Sequence, residues 1–301
     1  MSAAIEALTE RVRCRVDFDA PLAPHTAYHI GGPAAAVVHP ERLEDVAATL
    51  RFAAENATRW LALGLGSNVL IADAGFGGIV LRLAQTLDDL EQGVEGDETR
   101  WRAGAGFPTP QLSRRSAKAG LGGVHRLIGV PGTVGGGVFM NAGAHGQEFS
   151  QVVRSVTLVN PQGDPHSVMA DAIAWRYRGS GLDGVVVDAT LQLEPAEPGQ
   201  LEEEIRQHFA WRKAGTPFNE RCCGSVFRNP AGDRTAGQLI DACGLKGFRV
   251  GGAEVSRKHA NYIVNTGAAT ASDVLRVIDR VRETVSAEFG LELQLEVKRI
   301  D

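Results

Sequence analysis

Glycine-rich turns between apolar segments are the first feature of this sequence that could do chemistry. The chain holds 36 glycines in 301 residues, about 12% against a typical ~7%. They concentrate at residues 31–32, 64–78, 120–146 and 244–252 instead of spreading as in a linker. Glycine lets a backbone approach a ligand closely, and backbone N–H groups exposed in such turns bind phosphate. The pattern indicates a phosphorylated ligand.

The first turn that could hold a phosphate is Gly-Leu-Gly-Ser-Asn, residues 64–68. It is not a Rossmann fingerprint, because Val69 stands where G-x-G-x-x-G requires its last glycine. Its N–H groups and the side chains of Ser67 and Asn68 can still bind a pyrophosphate. A tight connection between strands explains the turn equally well, and the residues alone leave both interpretations open.

A denser turn runs from Pro131 to Gly137 and is followed by Asn141-Ala142-Gly143. So many glycines disfavour a regular helix or strand. No Gly-Lys-Ser/Thr sequence closes the turn, which excludes a Walker A phosphate loop. We therefore favour ligand binding over close packing of glycine for this segment.

Three polar residues could act on a bound substrate, although each has an ordinary alternative. Arg178, in Tyr-Arg-Gly-Ser, could clamp a carboxylate through two hydrogen bonds, yet most arginines lie on the surface. Ser225 follows a glycine but lies outside the Gly-x-Ser-x-Gly elbow of hydrolases, so a turn serine is the simpler interpretation. Glu296 lies on the polar side of the last segment, where a solvated carboxylate is the default.

Composition excludes several classes of protein. The net charge of −5 lacks the basic excess that nucleic-acid binders need. No run of 18 apolar residues could span a membrane, and the N-terminus lacks the pattern of a signal peptide, so we expect a cytoplasmic protein. The four cysteines have no C-x-x-C spacing and the eight histidines show no ligand pairing, so no metal site is expected.

The elements that must position these residues follow one another without a regular βαβ rhythm, which indicates an α+β fold. The predicted helices span residues 41–57, 109–120, 201–213, 236–243 and 272–289. The predicted strands span residues 60–63, 79–83, 152–159, 185–193 and 291–300. A cluster of proline and glycine at 195–200 predicts a domain boundary.

Eight segments, in family order, resemble the UDP-N-acetylenolpyruvoylglucosamine reductase family. They are Thr26–Gly32, Gly64–Leu70, Pro131–Gly146, Tyr177–Ser180, Gly224–Pro230, Ala236–Gly247, Gly251–Asn265 and Glu296–Val297. Each motif alone is weak, but the ordered set covers nearly the whole chain from about Leu22 onward and is specific.

The resemblance implies a two-part FAD-binding domain of the vanillyl-alcohol-oxidase-like (PCMH) type and a C-terminal α+β substrate-binding domain. We expect an N-terminal extension at 1–20, the FAD-binding domain at 21–197 and the substrate-binding domain at 198–301. The family uses NADPH to reduce a non-covalently bound FAD, and then reduces the enolpyruvyl group of a UDP-sugar in peptidoglycan precursor synthesis. The short stretch between Tyr177 and Ser225 implies the shorter subtype, and we expect a monomer.

The resemblance also assigns roles to individual residues. Ser225 would donate a proton, while Arg178 and Glu296 would stabilise the enolate that forms at the substrate carboxylate. The residues expected to contact FAD are Gly64, Gly66, Ser67, Asn68, Gly132, Thr133, Asn141, Ala142 and Gly143. The residues expected to contact the substrate are Tyr177, Arg228 and Asn229.

Some positions depart from the family pattern, although none of them is a proposed catalytic residue. Arg228 stands where lysine is usual, which keeps the charge but changes the hydrogen-bonding geometry. Gly137 stands where alanine is usual, and His145 stands where tyrosine often occurs. We expect these departures to affect local binding and not the reaction.

Two other functions fit part of the sequence. A flavin oxidase or dehydrogenase of related fold, acting on sugars or hydroxy acids, would keep the glycine turns but does not need Arg178, Ser225 and Glu296 together. A non-catalytic nucleotide-binding module would need none of the three. A yellow protein that NADPH bleaches would rule out the module.

Overall fold

The computed structural model describes residues 3–301, and for residues 3 and 4 it describes the backbone alone. These residues form seven α-helices: α1 Ala3–Glu6, α2 Leu43–Glu55, α3 Thr109–Lys118, α4 Val134–Phe139, α5 Pro198–Gly215, α6 Ala236–Ala242 and α7 Ala271–Phe289. None of these helices is long and apolar enough to cross a membrane.

Eighteen strands occur in the same described residues. They are β1 Arg15–Pro21, β2 Pro33–His39, β3 Trp60–Leu63, β4 Val69–Ile71, β5 Phe76–Arg82, β6 Leu90–Gln92, β7 Arg100–Gly104, β8 Leu121–Gly122, β9 Gly143–Ala144, β10 Gln147–Glu148, β11 Val153–Val159, β12 Pro165–Met169, β13 Val185–Gln192, β14 Glu194–Pro195, β15 Arg249–Val250, β16 Ala253–Val255, β17 Ile263–Asn265 and β18 Lys298–Ile300. The mixture of helices with parallel and antiparallel strands confirms the α+β prediction.

The chain folds into two compact units, each built from segments that are separate in the sequence. Of the described residues, the first unit contains 3–20, 34–65 and 77–210, and the second contains 21–33, 66–76 and 211–301. This division is based on packing and not on ligand binding. The expected FAD-binding domain at 21–197 and substrate-binding domain at 198–301 therefore stay predictions. Residues 15–20 of the expected N-terminal extension belong to β1 and so to a sheet of the first unit.

The first unit is built on two sheets. One has the strand order β1-β2-β5-β3, and the other has the order β12-β11-β13-β7-β6. Strand β3 runs parallel to β5, with Trp60 opposite Ile79. Helix α2 buries Val46 and Leu50 together with Leu81 of β5. Packed strands therefore support the end of β3, where the Gly64 turn begins.

The second unit packs α6 and α7 with two small sheets. Strands β15, β16 and β17 are antiparallel neighbours, and β18 runs parallel to β4, with Lys298 opposite Val69. The apolar face of α7, including Val277 and Val281, shares one core with Phe227. This core supports the segment that carries Ser225.

Helix α7 confirms the clearest sequence prediction, because both of its ends have capping residues. Thr270 Oγ1 accepts a hydrogen bond from the Asp273 N–H, and the Asp273 carboxylate accepts the Thr270 N–H in return. Gly290 ends the helix with a φ of +67°. The observed start differs from the predicted start by one residue.

The predicted strand at 291–300 is wrong over most of its length, because only β18 at its end forms a ladder. Leu293 and Val297 are buried as the alternation predicts, but Leu291 is 37% exposed. Leu295 forms a single bridge with Phe227. The alternation thus reflects burial of individual side chains, without continuous pairing of the backbone.

The glycine-rich segment from Pro131 was expected to avoid regular structure, yet its second half forms α4. Two of its glycines are required by packing. A Cβ at Gly135 would lie 2.6 Å from the Ala105 Cβ, and a Cβ at Gly137 would lie 2.3 Å from the Phe149 ring. Close packing, which we ranked below ligand binding, therefore explains these two glycines.

Candidate active site

In the first unit, the Gly64 turn begins where β3 ends. A Cβ at Gly64 would lie 2.5 Å from Thr133 Oγ1, so no side chain fits between the two turns. The Arg82 guanidinium donates a hydrogen bond to Gly64 O, and burial lowers the pKa of Arg82. The structure thus brings together Gly64 and Thr133, two residues predicted to contact the cofactor.

A cavity of about 290 Å³ lies next to the second glycine turn. It is lined by Leu65, Ala84, Gln85, Asp88, Gly106, Phe107, Pro108, Gln111 and Arg115. The Thr109 N–H donates to Gly132 O at 3.0 Å and Pro108 forms a bridge with Thr133, so this wall adjoins the turn. Sequence reasoning missed Gln85, Gln111 and Arg115, because no periodic pattern distinguishes polar residues on a cavity wall.

These features of the first unit fit one part of an FAD. The cavity is close to the ~300 Å³ lower bound of ordinary ligand pockets. Its wall includes the cationic Arg115 beside polar amide side chains, and the buried Thr109 hydroxyl has no hydrogen-bond partner within residues 3–301. Gly132 has a φ of +150°, a conformation that favours glycine.

The rest of the first glycine turn belongs to the second unit. Gly66 has a φ of +60°, and its carbonyl accepts the Ala27 N–H at 3.1 Å. The Asn68 carbonyl accepts the Lys298 N–H at 2.9 Å, and Asn68 Nδ2 donates to Glu296 O at 3.4 Å. The structure therefore joins a predicted cofactor residue, Asn68, to a predicted catalytic residue, Glu296.

Asn141, another predicted cofactor residue, uses its side chain within the protein. It is 1% exposed and has a φ of +41°. Its Nδ2 donates to Glu148 Oε2 at 2.9 Å and to Arg176 O at 3.3 Å, and its Oδ1 accepts the Ser150 N–H at 3.0 Å. The backbone of residues 141–143 is thus the part of this loop that can serve FAD.

Arg178 lies in a tight turn of the first unit. Arg176 and Gly179 exchange two backbone hydrogen bonds of 2.9 and 3.1 Å across the turn. The Arg178 guanidinium carbon lies 5.0 Å from the centre of the Tyr177 ring, a cation–π contact. Tyr177 is 54% exposed. This turn presents an aromatic ring beside a guanidinium, and the guanidinium is the group that can pair with an anionic substrate.

Ser225 and Glu296 lie on adjoining segments of the second unit. The residue after Ser225, Val226, donates its N–H to Asn261 O at 2.9 Å and accepts the Glu296 N–H at 2.8 Å. The Asn261 side chain also exchanges two hydrogen bonds with the backbone of Phe227, at 2.8 and 2.9 Å. The two residues that follow Ser225 are therefore fixed by backbone hydrogen bonds, and one of these bonds comes from Glu296, although Ser225 and Glu296 are distant in sequence.

Tyr262 and Arg212 complete this cluster, and sequence reasoning missed both. Burial raises the pKa of the Tyr262 phenol, while Arg212 and a hydrogen bond with Ser225 act in the opposite direction. Glu296 contributes to the rise. Arg212 Nε is buried without a hydrogen-bond partner in the described chain. Tyr262 lies within a family-like segment, but no pattern singled it out.

The two residues predicted to contact the substrate in the second unit differ in what they can still bind. The Arg228 N–H donates to Gln294 O at 2.9 Å. Arg228 Nε is buried and has no partner within the part of the chain that the structure describes. Asn229 is exposed, but its Oδ1 accepts the Ala236 N–H at 3.1 Å at the start of α6. Arg228 is thus the stronger candidate for an anionic group.

The residues predicted to act on the substrate are divided between the two units. Tyr177 and Arg178 belong to the first unit, and Ser225, Arg228 and Glu296 belong to the second. Across residues 3–301, no group of three or more histidine, cysteine or acidic side chains could hold a metal ion.

Two protein-family models match the chain. Residues 216–300 match the C-terminal domain of UDP-N-acetylenolpyruvoylglucosamine reductase, and residues 34–168 match an FAD-binding domain. The UDP-N-acetylenolpyruvoylglucosamine reductase of Halalkalibacterium halodurans is 38% identical to this chain, over 98% of this chain and 99% of the relative.

Solved structures agree with these matches. The UDP-N-acetylenolpyruvylglucosamine reductase of Thermus caldophilus superposes with a TM-score of 0.79 at 31% identity, over 96% of this chain and 99% of that chain. Berberine bridge enzyme from Eschscholzia californica matches with a TM-score of 0.52 at 15% identity, over 65% of this chain and 44% of that chain. This second likeness concerns the fold alone, and it supports the predicted type of flavin domain. The chain belongs to the UDP-N-acetylenolpyruvoylglucosamine reductase family.

Proposed function

We propose that Ser225, Arg178 and Glu296 carry out the reduction of the enolpyruvyl group in this chain. As a family member, the chain is an FAD-dependent oxidoreductase that uses NADPH and forms UDP-N-acetylmuramate for peptidoglycan synthesis. One observation carries the assignment of residues. The Glu296 N–H bonds to Val226 O at 2.8 Å, beside Ser225, so two of the three groups occupy one cluster.

Bound FAD supplies the hydride to the substrate. We assign its binding to the glycine turns, through backbone N–H groups and close approach. The proposed contacts are Gly64, Gly66, Ser67, Asn68, Gly132, Thr133, Asn141, Ala142 and Gly143. Because the Asn141 side chain is engaged within the protein, this residue would act through its backbone.

Arg178 and Glu296 would act where negative charge develops. The substrate accepts the hydride at the carbon remote from its carboxylate, and the electron pair left on the adjacent carbon spreads onto that carboxylate. The Arg178 guanidinium would pair with the carboxylate. Glu296 in its acid form would donate a hydrogen bond to it.

Ser225 would complete the reaction by general acid catalysis. Its O–H bond breaks as a new C–H bond forms on the carbanionic carbon. The serine oxygen then takes a proton from its surroundings, where the Tyr262 hydroxyl lies. The result is a saturated carbon beside the carboxylate, with atoms and charge in balance.

We assign substrate binding to Tyr177, Arg228 and Asn229. The buried Nε of Arg228 supports this role, because an anionic group of the nucleotide sugar would satisfy it. We also propose a cytoplasmic monomer without nucleic-acid or membrane partners, in which residues 21–197 bind FAD and residues 198–301 bind substrate. The net charge of −5 supports the absence of a nucleic-acid partner.

The test is Ser225→Ala, followed in the two half-reactions separately. Anaerobic reduction of FAD by NADPH should stay near wild type, because no proton from Ser225 is needed there. Re-oxidation by the enolpyruvyl substrate should slow by about 10²- to 10⁴-fold. Ser286→Ala, at an exposed position on α7, is the matched control and should change neither step. Equal slowing of both half-reactions would remove Ser225 from the proposed role.

A further inference from the structure

Arg178 adopts a backbone conformation that arginine rarely takes. It is the third residue of the turn from Arg176 to Gly179, and its φ is +55°. Glycine or asparagine usually occupies such a position, because a larger side chain there costs conformational free energy. The surrounding structure must therefore hold this turn in place.

The Asn141 side chain forms one hydrogen bond that holds the turn. Its Nδ2 donates to Arg176 O at 3.3 Å, the same carbonyl that accepts the Gly179 N–H at 3.1 Å. Nδ2 also donates to the Glu148 carboxylate at 2.9 Å, and Oδ1 accepts the Ser150 N–H at 3.0 Å. Because the amide is anchored at both of its ends, it can fix the carbonyl of the turn.

Ser180, the residue after the turn, holds its other end through hydrogen bonds. Its N–H and its Oγ both donate to Phe139 O, at 3.1 and 2.9 Å, at the end of α4. Asn141 follows Phe139 by two residues, so both ties join the turn to the same end of this helix. The loop assigned to FAD and the turn that carries Arg178 thus form one connected element.

We propose that Asn141 is a positioning residue for Arg178, which sets where the guanidinium meets the substrate carboxylate by holding Arg176 O. This inference rests on the proposed role of Arg178. A positioning role for the Asn141 side chain and a cofactor-binding role predict different effects of mutation. A cofactor side chain, when changed, releases FAD, whereas a positioning side chain slows transfer to the substrate while FAD is retained.

The test is Asn141→Asp in the holoenzyme. Aspartate has the same shape, but it replaces the donor Nδ2 by an oxygen that faces the Glu148 carboxylate and Arg176 O. FAD content and reduction by NADPH should stay near wild type. Re-oxidation by UDP-N-acetylenolpyruvoylglucosamine should slow by about 10- to 100-fold, with a raised KM. In an Arg178→Ala background, the same change should add little.

Further variants sharpen this test. Asn160→Asp is the matched control, because Asn160 Oδ1 accepts the N–H groups of Gln162 and Asp164, a role that aspartate keeps. It should behave as wild type. Ser180→Ala removes the Oγ tie without adding charge, and it should slow the same half-reaction by a smaller factor. If Asn141→Asp does not fold, Asn141→Gly decides the question, because glycine tolerates the φ of +41° and removes the same donor without adding charge.

Three results would overturn the proposal: loss of FAD from Asn141→Asp, equal slowing of both half-reactions, or a fully multiplicative loss in the double variant. Each of these leaves the role of Arg178 intact. If Arg178→Ala alone is re-oxidised as fast as wild type, the proposed function of Arg178 fails, and this inference fails with it.

Discussion

Burial raises the pKa of all four cysteine thiols, and the rise is large for Cys14, Cys222 and Cys223. The pKa of Cys14 rises to about 12, with Asp45 as the next cause, and the pKa of Cys222 rises to about 11, with Glu220 as the next cause. Burial also raises the pKa of Cys223, which is fully buried. A free cysteine has a pKa of about 8.5, and the thiolate is the reactive form. These thiols therefore stay protonated near pH 8.

We expect iodoacetamide at pH 8 to label Cys14, Cys222 and Cys223 much more slowly in the native protein than in protein unfolded by urea. Mass spectrometry of peptides after timed labelling measures each site. Labelling should accelerate as the pH rises toward 11, because the thiolate population grows. Native labelling of Cys222 at the rate of the unfolded chain would contradict this account.

Residue types and motif order predict the candidate groups of the site, but they do not predict which groups meet. Asn68 and Glu296 are 228 positions apart, and folding joins them through a hydrogen bond. Tyr262 lies beside Ser225 because Asn261 pairs with Val226. Such contacts depend on tertiary packing, which a local pattern does not contain.

At the scale of elements, α4 shows how packing decides the role of a glycine. Gly137→Ala should destabilise the protein by about 1–3 kcal/mol, because its Cβ would collide with the buried Phe149 ring. Gly136→Ala in the same helix is the matched control. Its Cβ would lie 3.8 Å from Thr133 Oγ1, and it should be neutral or stabilising by up to ~1 kcal/mol. Urea unfolding of the FAD-saturated variants measures both, and equal stability would refute the packing argument.

The start of α7 gives a pH-dependent prediction. The Thr270 N–H is the main cause that lowers the pKa of Asp273 to about 2, and the Gly252 N–H adds to this effect. An unfolded aspartate has a pKa of about 3.9, so the stabilisation is complete above that pH and is lost as the pH falls toward 2. Asp273→Asn should therefore cost about 1 kcal/mol at pH 7.

Thermal unfolding across pH tests this effect. The difference in stability between wild type and Asp273→Asn should shrink as the pH falls from about 5 to about 2. Asp279→Asn, at an exposed position on the same helix, should cost little at any pH. A difference that stays constant with pH would show that the Asp273 charge is not responsible.

Elements with strong local signals are predicted well, and those defined by distant partners are not. The period of α7, its capping box and Gly290 fix that helix within one residue of its predicted start. The alternation after Gly290 predicts a strand that is too long. Strand β18 forms only where β4 is its partner, and among the residues before it Leu295 forms an isolated bridge. Alternation with a period of two indicates which side chains are buried, but it does not specify which strands pair through backbone hydrogen bonds.

At the scale of the whole molecule, each compact unit is built from three segments that are separate in the sequence. The second unit takes residues 21–33 and 66–76 in addition to the C-terminal part from residue 211. The cluster of proline and glycine at 195–200 marks the start of α5 at Pro198, whereas the packing unit changes after Ala210. Composition along the chain can indicate a boundary, but it cannot show that an earlier segment returns to a later core.

The central claim about the whole molecule is that both half-reactions occur on this chain. The most direct measurement is the anaerobic absorbance of the purified protein, first alone, then with NADPH, and then with UDP-N-acetylenolpyruvoylglucosamine. We predict a flavin spectrum that NADPH bleaches and that the nucleotide sugar restores. Bleaching without restoration would contradict the substrate assignment. A protein with no flavin spectrum, even after FAD is added, would contradict the account as a whole.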